Sequence, residues 1–321
     1  MRYLVFPLAI WLLHSNTALA QTAPNEARIL QQRDQLRRDL ANTDIGAGYA
    51  QMLNFFVEPS ISASRLDSDD ADYDIFKVPL QYGLGRDDGD WEVLLRATLS
   101  HATAEETFSL VEGETIDGEW TADSAAFGAG VRWALSEQMA FILGGELGVS
   151  RLDSDADYNG PIGRSRLAPI IDGVLVNWDT NAWIASANAG MDYKWQWLDR
   201  YDMSFKGRYT YSHISSYSES RDLPSFSEST GTASLKLDLR HPWRMSLWER
   251  PLFGIANIGG TAFTGSNRDA LGFTHFYEIG YAIGIDLSQD SRYIKDVSIG
   301  YQVSTGSDVD GYSILLGWTL K

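Results

Sequence analysis

The residues of this chain with the chemistry for catalysis are few. His213 and Ser215 are separated by one residue, so both side chains lie on the same face if the segment is an extended strand. A base within reach of a serine hydroxyl is the minimum requirement for nucleophilic catalysis. No third residue that would orient the imidazole can be identified, and serine-elbow, zinc-type and phosphate-loop motifs are missing. We therefore predict no enzyme, no cofactor and no metal site, with the His-Ser pair kept as an alternative.

Charged side chains of both signs recur at alternate positions of the segments predicted below as strands. If those segments close into a barrel, these side chains face its lumen. The members that we expect to line the lumen are Arg96, Arg132, Lys206, Arg208, Lys236, Asp238 and Glu278. Pairs of opposite charge would either stabilise the wall or line a path for ions and small solutes, and both interpretations stay open.

An acidic repeat is the third chemical feature. SRLDSDDADY at 64–73 recurs as SRLDSDADY at 150–158. Alternating carboxylates at 67–74 and 153–157 resemble a calcium loop, but the glycine and the final bidentate glutamate of such loops are missing. We expect solvated acidic loops outside the cell. The alternative is a divalent ion that bridges these loops to phosphates of lipopolysaccharide.

An export signal precedes the elements that position these residues. Arg2 is followed by an apolar run over 4–13 and by the small-residue pattern Ala18-Leu19-Ala20. We therefore predict a signal peptide over 1–20, a leader and helix over 21–52, and a barrel over 53–321. The apolar run is too short for a membrane span, and hydropathy afterwards is too polar for a helical membrane protein.

Period-two alternation dominates the rest of the chain. The final segment places apolar side chains at every second position: Tyr312, Ile314, Leu316, Trp318 and Leu320. Repeated alternation of about ten residues behind an export signal is typical of a transmembrane β-barrel. We predict strands over 55–64, 74–84, 91–101, 125–135, 139–151, 183–197, 202–213, 230–240, 252–263, 273–287, 296–305 and 311–320.

The connections between these segments orient the predicted barrel. Short turns at 86–90, 136–138 and 198–201 suit the periplasmic side, and long polar stretches such as 104–123 and 152–181 suit the exterior. The apolar segment 168–178 would make a thirteenth strand, which would put a long loop on the periplasmic side. Parity therefore favours about twelve antiparallel strands, with fourteen as the alternative.

The helix predicted over 26–42 differs from everything that follows it. Ile29, Leu30, Leu36 and Leu40 fall near helical spacing among Arg, Gln and Asp. The apolar stripe is narrow, so we expect the helix to lie in the barrel lumen, held by paired charges. A surface or periplasmic position is the alternative.

Composition excludes further classes of function. The chain has 43 acidic and 26 basic residues, which argues against nucleic-acid binding. It has no Cys, so neither disulfides nor thiol chemistry are available in an oxidising compartment. Eleven Trp and fifteen Tyr would supply the aromatic girdles of a barrel.

This combination of one N-terminal helix, about twelve strands and an alternating aromatic last strand resembles the translocator domain of autotransporters. Over 26–321 it is most similar to solitary autotransporter-like barrels, which carry no passenger. Residues 20–25 leave no room for a passenger, and the helix lacks the Asn-Asn pair at which some autotransporters cleave themselves. After Trp318 the chain continues for three residues, where many outer-membrane barrels end in Phe or Trp.

The resemblance implies a Gram-negative outer-membrane barrel with a structural or surface-contact role and a helix-plugged lumen. Outer-membrane lipids, lipopolysaccharide and the barrel assembly machinery are the partners it implies. One alternative is an open or gated pore for small solutes or ions. Another is a lipid A-modifying hydrolase, since outer-membrane lipid A deacylases use a similar His-x-Ser spacing.

Overall fold

The computed structural model describes residues 26–40, 63–69, 71–85, 90–110, 113–198, 200–218, 225–265, 268, 270–292 and 294–320, with side chains of the first segment described over 28–36. The predicted signal peptide lies outside these residues. So do most of the leader predicted to follow it and the first part of the barrel predicted from residue 53.

Twelve antiparallel strands of the described chain close into one barrel, in which each strand pairs with the next and the last pairs with the first. They are β1 (Ala63–Ser68), β2 (Asp72–Gly85), β3 (Trp91–Ser109), β4 (Thr115–Ala134), β5 (Met139–Asn159), β6 (Trp178–Trp197), β7 (Tyr201–Tyr217), β8 (Ser227–Leu247), β9 (Arg250–Thr264), β10 (His275–Asp286), β11 (Ile294–Gly306) and β12 (Val309–Leu320). The predicted fold class and the strand number of twelve are confirmed.

Several strands are longer than the sequence predicts. The stretch 104–123, predicted as an external loop, lies largely within β3 and β4, which pair as far as Ser109↔Thr115. Of the stretch 152–181, the two ends, 152–159 and 178–181, belong to β5 and β6, and 160–177 is a connection as predicted. Both copies of the acidic repeat are therefore strand for most of their length, which corrects their placement in loops. The first strand was predicted over 55–64, whereas β1 begins at Ala63 and 55–62 lies outside the described residues.

The two faces of the wall exchange their polarity along β3 to β6. One registered row of outward residues marks the change: His101, Asp123, Arg151 and Asn181. On one side of this row the outward face is apolar, and beyond it the outward face is polar and acidic. The inward face changes in the opposite sense, from Arg96 and Glu146 to buried residues such as Leu152. Apolar and polar residues still alternate beyond the row, but there the apolar residues point inward and the polar residues point outward.

The apolar belt below the row has the dimensions of a lipid-facing band. Outward positions are apolar over 91–99, 125–133 and 141–149, about nine residues per strand, which at an ordinary tilt covers roughly 20 Å along the barrel axis. Aromatic pairs occur near its edges, such as Trp133 stacked on Phe141 and Trp183 stacked on Tyr217. The wall beyond the row, whose outward face is polar, comprises 101–109, 115–123 and 151–159, and we call it the outer extension.

Helix α1 (Glu26–Leu40) lies at the outer end of the barrel. Its contacts include α2 (Ala168–Ile171), a short turn in the connection between β5 and β6, where Arg33 Nη1 donates to the carbonyl oxygen of Pro169 at 3.3 Å. Leu36 is buried, whereas Leu30 is 61% exposed. Leu36 packs there against the inward residues Phe108, Ile116 and Tyr158, and the expectation that paired charges hold the helix in the lumen stays a prediction. No helix in the described part of the chain combines the length and apolar character of a bilayer span.

Candidate functional site: the lumen and its outer closure

The predicted lumen residues lie on inward positions of their strands at the level of the apolar belt. Arg96 on β3 donates through Nη1 to Asn188 Oδ1 on β6 at 3.0 Å. A side chain reaches a strand three places away only across the interior of a closed wall. Arg96 also lies 3.5 Å from the carboxylate of Glu146, which is 7% exposed. These contacts identify the inward face and join its charges into one network.

A second part of the network is centred on Asp192. Its carboxylate accepts a hydrogen bond from Arg208 at 2.7 Å and lies 3.9 Å from Arg132. Gly190 sits beside this pair, and a methyl group there would clash with the Arg208 side chain and the neighbouring carbonyl. Because the carboxylate is only 13% exposed, the Asp192–Arg208 bond is of the charge-assisted kind that is strong when water is limited.

The remaining predicted residues occupy the same inward face. Lys206 pairs with Asp238 at 3.3 Å, and Glu278 accepts a hydrogen bond from Gln302. Lys236 lies opposite Lys206 in the register of β7 and β8. All seven predicted residues therefore share the inner wall, and their role in lining a conducting path stays a prediction. The sequence argument did not name Asn188 and Gln302, because uncharged polar residues on alternating strands carry no distinctive signal.

The lumen of the outer extension is filled by apolar side chains. One continuous buried cluster draws members from ten of the twelve strands and from the connection between β9 and β10. We call it the outer closure; its wall residues are Leu66, Tyr73, Ile75, Ala102, Ala104, Ala122, Leu152, Trp178, Ala182, Ile184, Ile214, Phe263, Phe276 and Val309. The buried members come from strands nearly all round the ring, so the inner wall at this level is apolar and screened from solvent.

Phe273, from the β9–β10 connection, is at the centre of the outer closure. Its ring centroid lies 6.2 Å from Tyr73 on β2, 5.9 Å from Phe263 on β9 and 6.1 Å from Phe276. Strands β2 and β9 are five places apart in the ring, so Phe273 bridges nearly opposite walls. The Tyr73 hydroxyl also donates to the carbonyl oxygen of Leu271 at 3.3 Å, which ties the connection to the wall.

The β5–β6 connection adds a second apolar cluster at the outer mouth. Val174 and Val176 are fully buried there, together with Leu36 of α1. Tyr158 donates its hydroxyl to Asp172 at 2.6 Å, and burial together with this bond raises the pKa of Tyr158 far above its ordinary value. The phenol stays protonated and continues to donate. The apolar segment 168–178, which parity assigned to an external connection rather than to a thirteenth strand, packs over the outer mouth up to the start of β6 at Trp178.

The histidine considered for catalysis has different partners from those expected. His213 Nδ1 lies 3.0 Å from Ser229 Oγ, and its Nε2 lies 3.3 Å from Ser227 Oγ. Both serines belong to β8, the neighbour of β7, so the intrachain spacing to Ser215 did not identify them. The three side chains are on the outward face, because Ile214 between His213 and Ser215 is buried.

The acidic repeat forms ion pairs along each strand. Arg65 lies 3.1 Å from Asp67, and Arg151 lies 3.0 Å from Asp153, both on outward positions. Within the residues that the structure describes, no group of three or more His, Cys, Asp or Glu is arranged to hold a metal ion. The repeat therefore has the same local geometry in both copies: an arginine bonded to the aspartate two positions later, with an inward leucine between them.

Comparisons with known proteins agree with this architecture. No curated protein sequence matches the chain. The translocator domain of the autotransporter NalP from Neisseria meningitidis shares 10% identity with a TM-score of 0.51, over 88% of this chain and 97% of that one. The β domain of the Bordetella autotransporter Brka shares 13% identity with a TM-score of 0.49, over 81% and 96%.

The family comparison covers nearly the whole described barrel. The model for the solitary outer membrane autotransporter β-barrel domain matches residues 63–319, from the first residue of β1 to the penultimate residue of β12. This confirms the family that the helix, the strand number and the last strand indicated. The chain belongs to the solitary outer-membrane autotransporter β-barrel family.

Proposed function

We propose that this protein is a closed barrel of the Gram-negative outer membrane with a structural or surface-contact role. The observation that carries the proposal is the outer closure, an apolar cluster across the bore. An ion crossing it would exchange its hydration shell for mainly apolar side chains with a few hydroxyl groups between them, such as those of Thr180 and Ser154, which costs several kcal/mol. Its partners are outer-membrane lipids, lipopolysaccharide and, during insertion, the barrel assembly machinery.

The outer extension supports the surface-contact part of the proposal. Its outward face presents cross-strand carboxylates, with Glu105 opposite Glu119 and Glu119 opposite Asp155. Like charges at directly opposite positions destabilise a sheet. The apolar interior of the extension offsets this cost, and the result is a rigid, acidic collar that holds its surface away from the membrane.

A gated pore is the second candidate, and the charged lumen favours it. Below the outer closure the inner wall carries hydrogen-bonded charges of both signs, such as Arg96, Asp192 and Arg208. This is the kind of lining that porin-like barrels offer to water and ions. For conduction, only the outer closure would then have to move. The residues that the β9–β10 connection contributes to it lie outside the barrel wall.

The hydrolase alternative is disfavoured by the backbone around His213. His213 lies within the ladders that β7 forms with β6 and β8, so the amide groups of β7 around it are committed to strand pairing. An acyl-transfer site needs free donors aimed at the developing oxyanion, which β7 does not offer beside His213.

Planar-bilayer recording tests the proposal. We expect the intact barrel to conduct little, and a variant that lacks residues 25–42 to conduct equally little, because the outer closure is built by the wall and the β9–β10 connection. Steady conductance of the intact protein would overturn the proposal in favour of the pore. Conductance that appears only after the deletion would show that α1 closes the lumen, as the sequence argument expected.

A further inference from the structure

A groove crosses the outward face of the barrel at the row where polarity changes. It has a volume of about 510 Å³ and lies over β3, β4 and β5, bounded by Phe76 on one side and Tyr217 on the other. Ala125 lies between the larger side chains of Leu99 and Val149 in the register, which creates the depression. No element of the described chain covers it.

The lining of the groove changes from apolar side chains at its lower end to polar side chains at its upper end. Its lower part is lined by Leu99, Ala125 and Val149, which belong to the apolar belt and face acyl chains. Its upper part is lined by the row of His101, Asp123, Arg151 and Asn181, which lies where the belt ends. An occupant must therefore have an acyl chain beneath a polar headgroup, and it must lie in the outer leaflet.

The polar row has the chemistry of a site for hydroxyl groups. Asp123 accepts from His101 at 2.8 Å and retains further acceptor capacity, while Asn181 both donates and accepts. Arg151 is the cation of the row, and it is already paired with Asp153 at 3.0 Å. Asp179 opposes Asp153 in the next row outward. These carboxylates disfavour a phosphate that has no accompanying cation.

Aromatic faces complete the upper end of the groove. The Tyr217 ring stacks on Trp183 with centroids 5.2 Å apart, and Trp183 is 57% exposed. The negative face of an aromatic ring suits the C–H groups of a sugar ring, and Trp and Tyr at a membrane interface present an apolar body beside a polar edge. A saccharide could contact this pair while its hydroxyl groups bond to Asp123 and Asn181.

We propose that this groove binds an outer-leaflet lipid with an uncharged saccharide headgroup, with one acyl chain lying against Ala125. The inference depends on the barrel lying in a membrane and is independent of whether the lumen is closed. It assigns a role to the second copy of the acidic repeat, which places Arg151 at the groove with Asp153 bonded to it. The first copy places Arg65 and Asp67 on β1, outside it.

Lipid retention tests this site on the full-length protein. The barrel is purified from mixed micelles that contain equal amounts of glucosyl diacylglycerol and phosphatidylglycerol with the same acyl chains, and retained lipid is counted by native mass spectrometry. We expect the glucosyl lipid to be retained in preference. Equal retention of the two lipids, or preference for phosphatidylglycerol, would overturn the proposal, the latter in favour of phosphate binding.

Three variants locate the binding. Ala125→Leu fills the floor with an apolar group that a lipid-facing position tolerates, and Asp123→Ala removes the main acceptor; each should weaken retention of the glucosyl lipid by about tenfold. Arg65→Ala is the matched control, since it removes an arginine with the same local pairing outside the groove, and retention should not change. Correct folding is checked by heat-modifiable gel mobility. Unchanged retention in a folded Ala125→Leu barrel would also refute the site.

Discussion

Phe273 is the side chain whose loss should affect the outer closure most. It is 1% exposed and has three aromatic neighbours within 6.2 Å between ring centroids. Replacing a buried Phe by Ala in a packed core costs about 3–5 kcal/mol. If the loss falls on the closed arrangement alone, the ratio of closed to open barrels falls by a factor of roughly 10² to 10⁴, since about 1.4 kcal/mol corresponds to a factor of ten.

Single-channel recording measures this change. The intact protein should be silent, and Phe273→Ala should show brief openings through the charged lumen. Phe127→Ala is the matched control, because Phe127 is 63% exposed on the outward face and its ring lies in the apolar belt. A folded Phe273→Ala barrel that stays as silent as Phe127→Ala, although it has lost the calculated stability, would refute the assignment of the closure to this ring.

Three further substitutions test other parts of the account. Leu95→Arg, in the middle of the apolar belt, should cost roughly 2–4 kcal/mol in urea unfolding from lipid, whereas the inward Thr98→Asn should cost far less; equal costs would show that the two faces are assigned wrongly. Tyr158→Phe removes the donor to Asp172 and should cost about 1.5–3 kcal/mol locally, measured as faster tryptic cleavage of the β5–β6 connection; an unchanged rate would count against this anchor. Asp192→Ala removes the ion-pair partner of Arg208 and leaves Arg132 only its contact with Glu92 at 3.9 Å, so it should destabilise the barrel by about 3–5 kcal/mol, against no change if water screens these charges fully.

The fold could be predicted from the sequence because alternation survives in nearly every strand. The last strand shows the pattern most clearly, and the parity of the connections selects twelve strands over thirteen. The inward position of Arg96, Arg208 and Glu278 follows from the same alternation. These predictions use only the two-residue period of a strand, which needs no knowledge of what lies opposite.

The outer extension could not be predicted in the same way. Residues such as Glu105 and Asp155 are charged, so a rule that looks for apolar outward positions places them in loops. They nevertheless lie in strands, because alternate residues of the same strands, such as Ala104 and Tyr158, point inward and are buried. The reversal of phase becomes visible only once the register aligns His101 with Asp123 and Arg151.

The docking of the helix and the partners of His213 also depend on tertiary contacts. The apolar stripe of α1 predicts a buried face, but not that Leu36 packs against Val174 and Val176 of the β5–β6 connection or that Arg33 donates to a backbone carbonyl of α2. His213 bonds to serines that are distant in sequence, on the neighbouring strand. Spacing within one segment says nothing about which residues of another segment are aligned with it.

Thiol labelling tests the closed lumen most directly, because the chain has no cysteine of its own. Lys206→Cys places a thiol in the lumen below the outer closure, at a side chain that is 45% exposed. Thr107→Cys places one on the outward face of the outer extension. Both variants are reconstituted into liposomes in mixed orientation and exposed to a small membrane-impermeant thiol reagent.

If the outer closure separates the two sides, each variant is labelled only in barrels whose corresponding end faces out. The labelled fractions of Lys206→Cys and Thr107→Cys should then add to one. Complete labelling of both variants, in liposomes that keep the reagent out when they contain no protein, would show that the reagent passes through the lumen and would contradict the closed barrel.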